Sequence, residues 1–497
     1  MTVIKLTSQD GKPVEFVPTL IGQGGMKDVY FSPDHTYVVA FYRDKLDHAS
    51  NERLQAIVGS FRDGIFNRAG GDYWQNLFRW PTGIVEWGGR TGITVPTYQS
   101  HFFFEHGSKN DDMLKIKGRE KEGKWFSSAS NRNSFLDPRE LGTWLSYFRI
   151  CILISRAVRR LHAAGLAHSD LSYKNVLVDP AGRNACIIDI DGLVVPGKYP
   201  PDVVGTPDFI APEVMATSRL AKADPKRFLP SITTDRHALA VLIYMYLLYR
   251  HPLRGGKVHD QDPARDEELG MGERALFVEH PTDASNRIRL DQVKKSALPW
   301  ADAARLPFTL TGPLLAPLFK RAFIDGLHTP SARPTADDWE FALVRTVDLM
   351  QPCQNHTCQA KWYVFDNTVK PTCPFCGTAY RGLLPVLNLY SSRKAGTYTP
   401  DNHRVMVYDG QSLFPWHVNR NVFPNEKLSG DQTRRVGYFR LHQGIWYLVN
   451  ERLPDMKDLT TGKAVPPNSH VDLVEGKRLL LSTEEGGRVI QVQMVVG

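Results

Sequence analysis

Four cysteines fall at Cys353-x4-Cys358-x14-Cys373-x2-Cys376. Two short knuckles each offer a pair of thiolates, and together they close a tetrahedral site around Zn²⁺ with no open position, so the expected metal is structural. His356 is an alternative ligand, although a histidine in a surface turn needs no metal to explain it. A second group is acidic. The apolar run 185–188 leads into Asp189 and Asp191 before Gly192; two acids at a strand end suit a divalent cation, while Asp–Gly there is also a plain turn. A third group is Gly22-Gln23-Gly24-Gly25-Met26-Lys27-Asp28-Val29, between two strand-like runs. Its glycines remove the Cβ atoms that would keep backbone N–H groups away from a phosphate chain. Alone, such a segment is equally an ordinary tight hairpin.

Positioning these groups takes more than one domain. A chain of 497 residues exceeds what one hydrophobic core serves, and two or three domains are expected. Its 42% hydrophobic and 10% aromatic content excludes a disordered chain. Lys plus Arg exceed Asp plus Glu by 61 to 53, a surplus too small to require a nucleic-acid partner. The N-terminus has no apolar signal-like stretch, and the greasiest run, 238–248, is too short to span a bilayer and fits a buried helix. With six cysteines, four of them at metal spacing, a disulfide framework is not expected and the address read from the sequence is cytoplasmic, without membrane attachment. Cys151 and Cys186 lie in apolar contexts and read as core.

Residues 1–100 alternate as strands do, interrupted by one helical stretch at 46–61; 107–133 is polar and reads as a loop or weakly ordered excursion. Helix periodicity occupies 138–164, 210–216, 233–250, 311–326 and 335–350, and short apolar runs punctuated by Gly, Asn and Pro follow residue 385. The fold class is α+β: a small β-rich lobe (1–98), a larger α-rich lobe (99–348), a zinc ribbon (349–382) and an all-β module (383–497).

Several motifs resemble those of protein kinases. His168-Ser169-Asp170-Leu171-Ser172-Tyr173-Lys174-Asn175 resembles the catalytic loop, and Gly205-Thr206-Pro207-Asp208-Phe209-Ile210-Ala211-Pro212-Glu213 closely matches the end of the activation segment. The resemblance implies that Asp170 aligns the substrate hydroxyl and accepts its proton, and that Asn175 and the strand-end acids hold Mg²⁺ or Mn²⁺. Asp189 is the aligned acid by its distance from the strand; Asp191 paired with Gly192 is the alternative. Nucleotide contacts are implied at Gly22, Gly24, Gly25, Lys27, Val29, Ala40, Pro96, Tyr98, Asn175 and Asp189, with 96–98 as the hinge that meets adenine. Glu213 is implied to pair with Arg333, and Asp235 to brace the catalytic loop. Thr206 matches the Thr that bonds the catalytic Asp in Ser/Thr kinases, which makes Ser or Thr the expected target.

The departures are informative. The strand that usually carries the phosphate-binding Lys reads Val39-Ala40-Phe41-Tyr42, and alternation puts Tyr42 in the Lys position. Lys27, in place of the last loop glycine, is similar to the displaced lysine of with-no-lysine kinases, and from a strand about 5 Å away its stem reaches the same phosphates. The competing reading is a pseudokinase with Lys27 solvated at a hairpin tip. Glu52 is the natural guess for the lysine's helical partner, although the apolar stripe Leu54, Ile57, Val58 and Phe61 puts it on the opposite face. Ser169 replaces the Arg that normally receives an activation-loop phosphate, and the segment 192–204 is short, so activity independent of that phosphate is expected. Ser172 stands in place of a phosphate-binding Lys, with Lys174 two residues on.

The tail resembles the forkhead-associated (FHA) β-sandwich around 444–450 and 471–476, but without that family's Gly-Arg and Ser-x-x-His phosphothreonine signatures; a docking scaffold is expected. Taken together the chain is similar to bacterial kinases of tellurite-resistance clusters. That implies an ATP- and Mg²⁺-dependent Ser/Thr kinase that also phosphorylates itself, with a PP2C-type phosphatase and a von Willebrand A-domain protein as neighbours.

Overall fold

The computed structural model describes the chain apart from residues 1, 24, 25, 68, 69, 196, 197, 200–204, 222, 223 and 395. The expectations for Gly24 and Gly25, and for part of the 192–204 segment, therefore lie outside the described residues. The chain forms two units: Met1–Gly142, Ser146–Phe308 and Pro317–Glu340 in the first, and Thr143–Leu145, Thr309–Ala316 and Phe341–Gly497 in the second. Among the described residues no helix is long and apolar enough to cross a membrane.

The first unit begins with the hairpin β1 (Ile4–Thr7) and β2 (Pro13–Phe16), followed by an antiparallel sheet of β3 (Leu20–Gln23), β4 (Lys27–Phe31), β5 (Tyr37–Tyr42), β6 (Gly83–Trp87) and β7 (Arg90–Pro96), ordered β3-β4-β5-β7-β6. Both faces of β5 are covered. Val39 and Phe41 pack with Val14, Phe16 and Val85, while Ala40 and Tyr42 pack with Leu54, Ile84 and Ile93. The period-2 alternation of a strand thus commits Tyr42 to the face shared with α1 (His48–Ala56), whose N-cap Asp47 accepts the Ser50 N–H. A single π-turn, Ile57–Phe61, continues α1.

The larger lobe is mainly helical. Trp144–Ala163 (α2) leads to the segment 168–175 and then to the hairpin β8 (Val176–Asp179) and β9 (Asn184–Ile187). Ile232–Leu248 (α3) is buried along most of its length, as a helix apolar on every side from Ala238 onward must be; Ser231 and Thr234 form its capping box. The segment 107–133 departs from expectation. It is ordered, with a short helix at Ala129–Ser134 and bridges from Phe103 to Glu120 and from Glu122 to Leu177. Lys121, buried, holds it in place by ion pairs to Glu140 at 2.9 Å and Asp179 at 3.1 Å. A polar sequence is tolerated there because its charges meet partners.

The second unit joins a short hairpin, β10 (Met350–Pro352) and β11 (Trp362–Val364), to two antiparallel sheets. One is ordered β13-β12-β20-β19-β17 (Thr397–Met406, Leu383–Lys394, Arg488–Val496, Arg478–Leu480, Lys457–Asp458). The other is ordered β14-β15-β16-β18 (Ser412–Leu413, Gly437–His442, Ile445–Asn450, Ser469–Asp472). Inward residues of both, among them Leu387, Leu389, Ile490, Phe439, Trp446 and Leu448, make one core.

Candidate active site

The floor of the cleft is a strained loop held by a buried acid. Ser169 adopts a left-handed backbone (φ 68°), which costs a non-glycine residue about 1 kcal/mol or more. Asp235, near the start of α3 and 2% exposed, compensates: Oδ2 accepts the His168 N–H at 2.7 Å and Oδ1 the Ser169 N–H at 3.1 Å. The bracing role expected for Asp235 has this geometry. His168 Nε2 lies 2.9 Å from the Ile188 carbonyl, tying the loop to the strand that delivers Asp189. Asp170 follows. Its Oδ1 accepts the Thr206 N–H at 2.7 Å and its Oδ2 the Asn175 side-chain N–H at 3.0 Å; the same Asn175 nitrogen also donates to the Asp170 carbonyl at 2.9 Å. The Thr206 hydroxyl, expected to bond Asp170, instead donates to Ser172 Oγ at 3.2 Å, and the amide does the work.

Above the floor, Lys27 points into the cleft and not into bulk water. Its Nζ lies 2.6 Å from Asp191 Oδ2 and 3.2 Å from Asp189 Oδ1. Burial works against the ammonium, but the two carboxylates outweigh it and hold the Lys27 pKa above its ordinary value. Burial pushes Asp191 the other way; the Lys27 charge and the hydrogen bonds from Lys27 and Tyr42 prevail and lower it. The Tyr42 hydroxyl donates to the same Asp191 oxygen, and burial, followed by the Asp191 charge, raises the phenol's pKa. Lys27 and Tyr42 face each other in the β4–β5 register, so the two side chains meet at one acid. Asp189, with a left-handed backbone (φ 61°), is half exposed, whereas Asp191 is buried.

These groups line a cavity of about 450 Å³, with Met26, Arg53, Tyr98, His168 and Ile188 among its other walls. A second space of about 360 Å³ shares Lys27, Tyr98, Ile188, Asp189 and Asp191 with it and adds Gly22, Val29, Ala40, Ile93, Val95 and Thr97. The first is polar at its base; the second is walled mainly by apolar side chains. Of the expected nucleotide contacts, Gly22, Lys27, Val29, Ala40, Tyr98, Asn175 and Asp189 converge on these two spaces. Pro96 does not: it ends β7, exposed, paired with Tyr37. Glu52 also faces away, 54% exposed beside His48. Its neighbour Arg53, which sequence reasoning passed over, is buried and lines the cavity. The available signal was its position four residues before the fully buried Ile57, on the edge of the apolar stripe. Lys174 is exposed and absent from both linings, and Ser172 is buried against Thr206. Glu120, from the segment read as a loop, reaches the wall of the second space.

Beyond the cleft, Arg333 (1% exposed) forms a bidentate pair with Glu213, at 2.8 and 2.7 Å, and also donates to the carbonyls of Gly326, Thr233 and Leu327. This pair anchors the end of the segment 205–213, as its resemblance to the kinase activation segment implied.

In the second unit the ligand atoms of Cys353, Cys358, Cys373 and Cys376 lie within 4.8 Å of one another. Cys358 and Cys373 are buried and Cys376 is exposed. Four convergent thiols on two knuckles fit a tetrahedral Zn²⁺. Trp144 packs edge-on to Phe375 at 4.9 Å beside the second knuckle. His356, the alternative ligand, is not in the cluster.

Parts of the chain are similar to known kinases. The lipopolysaccharide kinase (Kdo/WaaP) family matches residues 149–193, the segment that carries Asp170, Asn175, Asp189 and Asp191. The death-associated protein kinase dapk-1 of Caenorhabditis elegans is 34% identical over 102 residues, 20% of this chain and 6% of that protein. The serine/threonine-protein kinase PknD of Chlamydia abortus is 30% identical over 147 residues, 24% of this chain and 14% of that protein. The chain therefore spans only a small part of these relatives. The Toxoplasma gondii rhoptry antigen kinase domain superposes on 56% of this chain and 84% of its own at 15% identity and a TM-score of 0.34, too weak a likeness to carry weight. The first unit is a protein kinase-like domain with distant relatives among Ser/Thr protein kinases, and the chain also carries a four-cysteine cluster and β-rich sheets.

Proposed function

We propose that the first unit transfers the γ-phosphoryl group of ATP to Ser or Thr hydroxyls of proteins, its own included. One observation carries this reading: Asp170, Asn175, Asp189 and Lys27, from three separate elements, line one cavity that opens onto an apolar recess. The recess takes the adenine between Val29, Ala40 and Ile93. Asp170, fixed by Thr206 and Asn175, orients the acceptor hydroxyl and takes its proton as the oxygen attacks. Lys27 neutralises the phosphates from β4. The hard oxygen donors of Asn175 and Asp189 fit Mg²⁺ or Mn²⁺, which when bound would offset charge on the phosphoryl oxygens. Positioning and charge stabilisation supply most of the rate.

The test is ³²P transfer from labelled ATP by wild type, Asp170→Ala and Lys27→Ala. Turnover is expected to fall about 10³-fold or more for Asp170→Ala; activity that survives this change overturns the reading. The lipopolysaccharide kinase match favours a second acceptor class, a saccharide hydroxyl, and product analysis with protein and lipopolysaccharide acceptors side by side decides between them.

For the second unit, we infer a structural Zn²⁺ held by the four cysteines and an FHA-like sandwich that docks partners. The two antiparallel sheets around one core support the sandwich, and the similarity to tellurite-cluster kinases suggests a PP2C-type phosphatase and a von Willebrand A-domain protein as those partners. Metal analysis by inductively coupled plasma mass spectrometry is expected to find zinc in wild type and to lose it in Cys373→Ser.

A further inference from the structure

We propose that Asp191, held by Tyr42, is the anchoring carboxylate of Lys27 and not a ligand for the divalent cation. The inference rests on the nucleotide-binding reading of the cleft. Lys27 lies closer to Asp191 (2.6 Å) than to Asp189 (3.2 Å), and Asp191 is 8% exposed where Asp189 is 50% exposed. The Asp191 oxygen that receives Lys27 also receives the Tyr42 hydroxyl. Tyr42 stands opposite Lys27 across β4 and β5, with the Lys27 ammonium 5.4 Å from its ring. Tyr42, Asp191 and Lys27 form a closed unit in which the tyrosine fixes the acid and the acid fixes the lysine.

The first helix cannot supply that anchor. It turns Glu52 outward to His48 and brings Arg53, a cation, to the cavity wall. A second cation lining the same cavity cannot neutralise Lys27. An acid delivered from the β9 side can, and such a pair does not depend on where α1 sits. The half-exposed Asp189, facing the cavity with Asn175 and Asp170, is then the acid left for the metal. In this arrangement Tyr42 and Asp191 are positioning residues that act through Lys27.

The experiment is fluorescence titration of the full chain with mant-ATP, in EDTA and against rising Mg²⁺, so that no turnover is needed. Asp191→Asn is expected to change metal-free affinity by about fivefold in the wild-type background and by less than about twofold in the Lys27→Met background. Tyr42→Phe, which keeps the ring and its packing, is expected to move affinity in the same direction as Asp191→Asn and to add nothing to it. Asp189→Asn should raise the Mg²⁺ concentration for half-saturation by about tenfold or more, and Asp191→Asn by less than about twofold. Asp191→Asn raising the Mg²⁺ requirement as Asp189→Asn does, or acting equally in both Lys27 backgrounds, overturns the anchor while leaving the nucleotide reading in place. A wild-type chain that binds no mant-ATP overturns both.

Discussion

Each unit buries a carboxylate among donors, and the two acids differ in what surrounds them. Asp191 meets a permanent cation and a phenol on the wall of a 450 Å³ cavity. Asp348, just beyond the helix Ala336–Val347, meets two histidines instead: His403 Nε2 at 2.7 Å and His417 Nε2 at 3.1 Å, all three buried. His417 Nδ1 accepts the Phe414 N–H at 3.1 Å, so its proton sits on the nitrogen that faces Asp348. Burial pushes His403 down to about 4, so it is neutral at pH 7 and donates to Asp348 as an uncharged ring. Burial alone would raise Asp348; the histidines hold it far below the carboxylate range. A buried acid enclosed by two imidazoles has spent its hydrogen-bonding capacity on stability. One paired with a cation at the edge of an open cavity keeps that charge available to a ligand.

The sharpest way to break this contrast is to remove an acid from each side. Asp170→Ala, in the cleft, should abolish most turnover yet lower the melting temperature of the first unit by about 3 °C or less, as calorimetry beside the phosphotransfer assay would report. Asp348→Ala should do the reverse, costing the second unit about 3–5 kcal/mol by leaving two buried rings without their acceptor, while mant-ATP affinity stays the same. Equal stability losses from the two changes would erase the distinction.

Acid sharpens it further. The folded pKa of His403, about 4, lies below its unfolded value of 6.5, so its contribution is complete above pH 6.5 and is lost as the pH falls toward 4. The lowered pKa of Asp348 has the same sign at still lower pH. Chemical denaturation followed from pH 7 to pH 4 should show the second unit losing up to about 3 kcal/mol, a loss that His403→Gln abolishes. The smallest effect is expected at Glu52. Exposed beside His48, it should change stability by about 0.5 kcal/mol or less when replaced by Gln, with phosphotransfer unchanged; a large loss of turnover would return it to the cleft.

Much of the cleft was legible because short local motifs in it resemble those of protein kinases. Asp170 and Asn175 belong to one turn, Glu213 ends a nine-residue match, and the four cysteines come as two knuckles. The strand alternation that put Tyr42 in the lysine's usual place is also local, and β5 obeys it. What failed was longer in range. The 107–133 segment lacks periodicity because its order comes from Lys121 gripping Asp179, 58 residues away. Glu52 and Arg53 are adjacent, and 100° of helix rotation decided which of them entered the cavity.

The sequence by itself determined the residue types at each position of the cleft, the strand and helix periods that carry them and the thiol knuckles, since those depend on neighbours within a turn or a strand. Only the tertiary structure decided who pairs with whom. Tyr42 and Asp191 are 149 residues apart, and Lys27 and Asp189 are 162 apart. Charges so distant along the chain interact only once burial of the two faces of β5 and packing of the strand–loop segment around β9 bring the Lys27 ammonium to 2.6 Å from Asp191 and 3.2 Å from Asp189, where the electrostatic energy becomes large enough to fix them.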